Sequence, residues 1–380
     1  MSHAPSDALS RRHDALRGAL RAESLTALVV TSLPNITYLT NFTGSAAIVV
    51  LTDERVFFLT DSRYVTVVGD MRDAPWACPG HELIVVSGSY DAALATLLTE
   101  RIQGRVGFEA AHLSVSRFRW LEATLGRTSG GSVLAASEGL VEAARIVKDA
   151  WEIDVLREAG HRLSTAAERV LQGLRIGQSE RDVAFAIEAR IREVGFSRPA
   201  FETIVASGPN AARPHARPTE RTFDEGDLVV LDFGGCYDSY CVDLTRTVVI
   251  GRASARSRQV YDAVRMAHDL AIQAVRPGQS RYAVDAAARD WLTAAGLGEA
   301  FGHGTGHGLG IEVHEDPRIA RRRPEADRPD EGVSSGMVFT IEPGAYFPGW
   351  GGVRIEDDVL VTETGAELLT HVTTELLEIN

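Results

Sequence analysis

Two segments of this chain repeat one another. LRIGQSERDVAFAIEARIREVG (174–195) and VRPGQSRYAVDAAARDWLTAAG (275–296) align at a constant offset of 101 residues. Arg175/Arg276, Gly177/Gly278, Gln178/Gln279, Ser179/Ser280, Val183/Val284, Ala186/Ala287 and Gly195/Gly296 are identical pairs. In each copy the serine can cap a helix, and in the first copy Asp182 stands at the third helical position of a near capping box. Two capped helices can share such features without kinship. The reading adopted is two related halves, each a helical layer followed by strands, with a site between them that draws ligands from both.

The repeat needs a second domain beside it. At roughly 150 residues per domain, 380 residues allow two or three. Residues 1–140 alternate strand-like runs (27–31, 46–52, 55–60, 84–87, 105–109) with helical patterns (6–22, 90–101, 114–125), which predicts a small α/β domain with a mixed sheet. The boundary is expected within 138–148, giving domains 1–140 and 141–380. Beyond it, Ile153, Leu156, Leu163, Val170, Leu171 and Leu174 recur at helical spacing. Strands are then expected at 227–233 and 240–250 around a turn at 234–238, and later at 337–342 and 352–362. The charged, apolar-poor stretch 317–332 reads as a surface loop, and the basic run Arg321-Arg322-Arg323 as solvated.

Charge and cysteine usage exclude several function classes. A net charge of −13 disfavours nucleic-acid binding. Three cysteines without a CxxC pair speak for a reducing compartment and against a disulfide framework. No run reaches the roughly 18 apolar residues of a membrane span, and no apolar segment follows Arg11 and Arg12, so neither a membrane protein nor a signal peptide is expected. The expectation is a cytoplasmic location.

The chemistry lies in the second region. Asp232 ends an apolar strand and Asp243 lies on the next one, so a hairpin can bring both carboxylates to one face. Two such carboxylates repel and need a cation. By themselves they also fit turn chemistry, or a pairing of Asp243 with Arg246. Three histidines within twelve residues, His303, His307 and His314, stand among five glycines in GHGTGHGLGIEVH. Neutral imidazole ligates metals and moves protons, and glycine lets backbone approach a ligand. Glu342 and Glu356 each interrupt an apolar strand, where an unpaired charge costs several kcal/mol. The alternatives are a strand-end surface position for Glu342 and an ion pair with Arg354 for Glu356. Four carboxylates and one imidazole suit a pair of divalent ions such as manganese, cobalt or zinc.

LDFGG, DLTRT, GHGTGHGLGIEVHE, TIEPG and VRIED, in that order, resemble the prolidase and aminopeptidase P family of "pita-bread" metallopeptidases. The spacings fit: 11 residues from Asp232 to Asp243, seven from His307 to His314, 14 from Glu342 to Glu356. PNITYLTNFTG (34–44) resembles the creatinase-type N-terminal domain that precedes the peptidase domain in that family. The resemblance implies an α/β (α+β) chain: a creatinase-like N-terminal domain with a mixed sheet, then a pita-bread catalytic domain of two pseudo-symmetric halves. It implies two divalent metal ions, one bound by Asp232, both bridged by Asp243 and Glu356, with His307 and Glu342 completing the second. Glu342 would also handle the proton of the attacking water, His314 would stabilise the tetrahedral intermediate, and His215 and His303 would contact substrate. Tyr346 and Arg354 match supporting or substrate-contact positions. The implied activity is hydrolysis of the N-terminal Xaa-Pro bond of short peptides by a homodimer or higher homo-oligomer.

The stretch between His314 and Glu342 is about six residues longer than the family pattern, with the extra length in 321–331. A mobile loop holds a carboxylate poorly, so an open cleft that admits Xaa-Pro-Yaa peptides is expected. Rival readings are a methionine aminopeptidase-like or broader aminopeptidase, a metal-free creatinase-type enzyme, and a pseudo-peptidase that only binds peptides.

Overall fold

The computed structural model describes residues 3–127, 132–322 and 332–380, in two compact units, Met1–Arg145 and Ile146–Asn380. In the first unit the hydrophobic runs become a six-stranded sheet of β1 (Ala27–Val30), β2 (Ile48–Thr52), β3 (Val56–Asp61), β4 (His81–Val86), β5 (Gly104–Glu109) and β6 (Ser132–Ser137), in spatial order β4-β3-β2-β1-β5-β6. β2 runs antiparallel to both β1 and β3, and the other pairs are parallel, so the sheet is mixed. Its helices are α1 (Ser6–Ala22), α2 (Leu33–Thr40), α3 (Val65–Arg72), α4 (Tyr90–Arg101), α5 (Val115–Leu125) and α6 (Leu140–Ile146, whose last residue opens the second unit). Ser89 and Ser114 cap α4 and α5 by accepting a backbone N–H three residues on. Helix α2 has no helical spacing of apolar residues to announce it. Pro34 in its first turn and Asn41 at φ 64° after its last residue set its ends instead.

The second unit carries the repeat. Helices α7 (Ala150–Gly173) and α8 (Glu180–Glu193) are answered 101 residues later by the ends of α9 (Ala255–Ala274) and α10 (Arg281–Ala294). The expected caps form: Ser179 accepts from the Asp182 N–H and Ser280 from the Tyr282 N–H. Each helix pair is followed by a sheet. The first contains β7 (Arg198–Pro199), β8 (Ile204–Ser207), β9 (Leu228–Tyr237) and β10 (Tyr240–Ile250). The second contains β11 (Gly306–Gly308), β12 (Glu315–Ile319), β13 (Val338–Ile341), β16 (Asp357–Val361) and β17 (Ala366–Leu368), in the order β12-β11-β13-β16-β17. A separate ribbon pairs β14 (Gly344–Phe347) with β15 (Gly351–Arg354), and a short C-terminal strand, β18 (Glu378–Ile379), joins the edge of β10. Tyr261, Val264, Val284, Ala288, Leu292, Phe339, Ile341 and Val359 form the core of the second half.

Three elements differ from expectation, each for a local reason. The segment 234–238 continues β9 as far as Tyr237, because Asp238 and Ser239 take positive φ and close a two-residue hairpin turn. That register sets Cys236 opposite Cys241, with their free thiols 2.8 Å apart, a proximity invisible in the sequence spacing. The run 352–362 is two strands, β15 and β16, in different sheets, with Glu356 between them in a bridge to Thr245. Within 317–332, residues up to Ile319 belong to β12, at the edge of its sheet where Pro317 costs no ladder bond and Ile319 is fully buried. Arg321 and Arg322 follow that strand; the basic and acidic residues from Arg323 to Glu331 lie outside the described residues.

Candidate metal centre

The hairpin β9–β10 lays the foundation. Asp232 stands opposite Thr245 and Asp243 opposite Gly234, so the two carboxylates share one face, one ladder step apart. Asp232, Asp243, His307, Glu342 and Glu356 all line one cleft of about 1000 Å³, together with His215, His303, His314 and Arg354. Among the described residues, ligand atoms of Asp243, His307 and Glu356 all lie within 4.8 Å of one another. His307 Nε2 is 3.8 Å from Glu342 Oε1. Tyr346 does not line the cleft; it joins His303 Nε2 at 3.0 Å and accepts from Arg354 Nη1 at 2.8 Å.

Glycine serves a different purpose here from the one its spacing suggests. A Cβ at Gly306 would lie 1.8 Å from the Thr340 carbonyl oxygen, and one at Gly308 would lie 2.2 Å from that of Asp316. These glycines let β11 sit against its neighbours, and so bring His307 to the carboxylates.

The expected ion pairs re-form with other partners. Arg246 binds Asp357 at 2.8 Å and the Glu356 carbonyl at 2.6 Å, so Asp243 does not receive it. Arg354 binds the Asp232 carboxylate, and Glu356 Oε2 accepts from Thr245 Oγ1 at 2.5 Å. Glu342 is partly buried at the end of β13, not on an open surface.

The electrostatics are those of a cluster short of positive charge. Burial, with Asp232, Asp358 and Glu342 beside it, pushes the Asp243 carboxyl well above the ordinary range. Glu356 rises for the same reasons, burial first and then Asp243. Burial carries Glu342 up to about 7 against the pull of Arg354. Asp243 Oδ1 is buried with no hydrogen-bond partner among the described residues. His307 is driven down to about 3 by burial and His314, which keeps the ring neutral. Its Nδ1 meets the Gly308 carbonyl at 3.1 Å, so Nδ1 carries the proton and Nε2 keeps a free lone pair. An orphaned carboxylate oxygen, mutually repelling acids and an imidazole in the ligating tautomer fit an oxygen-rich divalent metal site.

The pKa values of His303 and His314 are lowered as well. Burial and then Arg354 bring His303 to about 4. His303 Nδ1 meets the Gly304 carbonyl at 2.8 Å, so its Nε2 accepts the Tyr346 hydroxyl proton. His314 is accessible, and withdrawal from bulk water, then Arg318 and His215, lower its pKa. Its ring lies 4.3 Å from that of His307.

Sequence reasoning missed Arg318 and Arg281, both on the wall of this cleft. Arg318 had a signal: it precedes buried Ile319 by one place, so on a strand it faces the other way. Reading 317–332 as a loop hid that alternation.

Two family models match the chain, "Metallopeptidase family M24" over residues 154–363 and "Creatinase/Prolidase N-terminal domain" over 12–147. A Xaa-Pro dipeptidase of Pyrococcus furiosus is 40% identical over 241 residues, 63% of this chain and 67% of that protein. The solved structure of a Xaa-Pro dipeptidase from Bacillus anthracis superposes with a TM-score of 0.89 at 34% identity, covering 98% of this chain and 100% of that one. An X-Pro aminopeptidase from Thermotoga maritima gives 0.84 at 30%, covering 97% and 99%.

Proposed function

Because this chain belongs to metallopeptidase family M24 and carries a creatinase/prolidase N-terminal domain, we propose that it hydrolyses the N-terminal Xaa-Pro bond of short peptides, dipeptides included. The observation that carries the reading is the convergence of Asp243, His307 and Glu356, with the unpartnered Asp243 oxygen among them. Asp232, Asp243, His307, Glu342 and Glu356 would hold two divalent ions, of manganese, cobalt or zinc. Bound there, such ions lower the pKa of a water and stabilise charge on the carbonyl oxygen.

The protein's own groups supply the rest. A Xaa-Pro bond has a tertiary nitrogen that must leave as a secondary amine, so a proton has to travel from water to that nitrogen. Glu342 stands beside His307 at the cleft wall, 3.8 Å from its Nε2, where its carboxylate is placed to take the proton from water and pass it on to the leaving nitrogen. His314, neutral and accessible, donates a hydrogen bond to the oxygen that gains charge. His303, fixed by Tyr346 and Gly304, and His215 contact the substrate backbone from the facing walls. Arg318 stands on a strand, not on a flexible loop, and its charge is felt at His314, His307 and Glu342. That placement supports recognition of a free carboxylate one residue beyond the bond, which favours dipeptides over the longer substrates that the loop 321–331 suggests.

The reading includes a cytoplasmic homo-oligomer that works without nucleic acid or membrane. No helix among the described residues is long and apolar enough to cross a membrane. The test is a rate comparison of Xaa-Pro, Xaa-Pro-Yaa and Met-Ala peptides on purified protein loaded in turn with manganese, cobalt and zinc. Selective cleavage of Xaa-Pro peptides is expected. Preference for Met-Ala would make it a methionine aminopeptidase-like enzyme. Failure to bind metal or cleave any peptide would make it a peptide-binding module.

A further inference from the structure

The loop that carries His215 is closed by one buried carboxylate. Glu180 opens α8, directly after the capping Ser179, and is fully buried. Its Oε1 accepts from the Ser207 N–H at 2.7 Å, the Ser207 hydroxyl at 2.7 Å and Asn210 Nδ2 at 3.0 Å. Its Oε2 accepts from the Thr219 N–H at 2.9 Å and the Thr219 hydroxyl at 2.6 Å. Ser207 is the last residue of β8, where the chain leaves the sheet, and Thr219 lies beside the start of α8, its carbonyl accepting from the Arg181 N–H, before the chain re-enters the sheet at Leu228. Oε1 therefore grips the entry to the loop, while Oε2 grips the exit and shares the Asn210 amide at 3.2 Å. Between them, Pro214, His215, Ala216 and Arg217 face the cleft. Ala211 and Ala216 pack beneath on Ile204, Ala206 and Val230, and the Pro214 carbonyl accepts from Arg354 Nη1 at 3.3 Å.

The repeat shows that the helix itself does not require this acid. The matching position after the second capping serine is Arg281, and α10 starts there equally well. Charge-assisted hydrogen bonds to several backbone and hydroxyl donors suit an ionised carboxylate. An amide in its place would set an NH2 donor against the donors at one end of the loop.

We propose that Glu180 is a positioning residue that clamps both ends of the 207–219 loop and so fixes His215 against the substrate. The proposal rests on the reading of His215 as a substrate contact. It acts through His215 and not on the metal centre, since Glu180 touches none of the five candidate ligands among its hydrogen bonds.

The experiment compares full-length, manganese-loaded wild type with Glu180→Gln, Thr219→Val, His215→Ala and the Glu180→Gln/His215→Ala double variant on a Xaa-Pro dipeptide. Glu180→Gln is expected to lower kcat/KM about tenfold, with unchanged metal content and the same split between kcat and KM as His215→Ala. The double variant should be no worse than His215→Ala alone. Thr219→Val, which removes one donor only, should show a smaller loss of the same kind and carries the test if Glu180→Gln does not fold. Amide hydrogen exchange provides a readout that needs no turnover: residues 208–219 should exchange faster in the variant while β9 and β10 keep their protection. Multiplying losses in the double variant, full activity in His215→Ala, or unchanged exchange in 208–219 would each overturn the proposal. If the loaded wild type cleaves no Xaa-Pro peptide, the peptidase reading falls separately, and the exchange measurement still decides whether Glu180 shapes the loop.

Discussion

Glu109 in the first unit and Asp243 in the second are both buried carboxylates borne on strands, 7% and 5% exposed. Their surroundings differ. Glu109 accepts from the Thr31 N–H at 2.6 Å, the Ser32 N–H at 2.8 Å and Asn35 Nδ2 at 2.6 Å. Asn35 is in turn held by Arg145 at 2.7 Å. Asp243 faces Asp232, Asp358 and Glu342, and its Oδ1 has no donor among the described residues. A buried charge left in that state costs several kcal/mol, so the first arrangement serves folding and the second suits a cation. Burial alone does not separate these two acids; the donors around them do.

Removing each acid should break the comparison in opposite directions. Asp243→Ala is expected to lower kcat/KM with saturating metal by about 10³-fold or more, because a proposed metal ligand is lost. Its metal-free melting temperature should not fall, since the variant relieves repulsion. Near-normal turnover would show that Asp243 is no metal ligand. His314→Ala should reduce kcat by about 10²-fold with metal content intact, as expected for a group that supports the oxyanion. Loss of a metal equivalent would make it a ligand and exchange its place with His307, whose ring it nearly touches.

Glu109→Ala tests the other side. It strands two backbone N–H groups and the Asn35 amide in a buried position, and it should cost about 2 kcal/mol. The urea midpoint of the full chain should drop accordingly, while metal content per folded molecule stays the same. A midpoint within error of wild type would mean that water replaces the carboxylate, and the contrast with Asp243 would lose its energetic meaning.

The sequence exposed the two kinds of acid unequally. Asp232, Asp243, Glu342 and Glu356 stood out as acids in or at the ends of apolar strands, each with a structural alternative, and the choice of His307 among three histidines came from the family resemblance. The repeat at an offset of 101 likewise exposed the two helix pairs and their serine caps. Glu109 and Glu180 gave no such signal, because a glutamate at a strand end or in a first helical turn is ordinary, and its donors come from residues far along the chain. Arg354 shows the limit of pairing by proximity in sequence. It binds Asp232, 122 positions away, and not Glu356 two positions on. Strand breaks were hidden for a related reason: the split at Glu356 reflects a bridge to Thr245, a contact that no local pattern encodes.

The smallest expected effect, and the sharpest check on the site's charge, is the pH dependence of metal binding. Without a cation, burial raises Glu342 from 4.5 to about 7, and Asp243 and Glu356 move in the same direction. A raised folded-state value means that the folded protein holds protons the unfolded chain has released. The metal-free fold is therefore favoured below pH 4.5 and loses that advantage as pH rises through about 7. A metal ion must displace the same protons, so its apparent affinity should climb as pH rises through that window. With His307 already neutral above about 3, imidazole deprotonation adds nothing to the slope there. Between pH 6 and 7.5 the affinity for manganese, followed by calorimetry in two buffers of different ionisation enthalpy, should rise about tenfold with net proton release. Glu342→Gln should flatten that rise. A pH-independent affinity with no proton release would mean that the acids are ionised before metal arrives, and that some other cation, Arg354 foremost, already balances them.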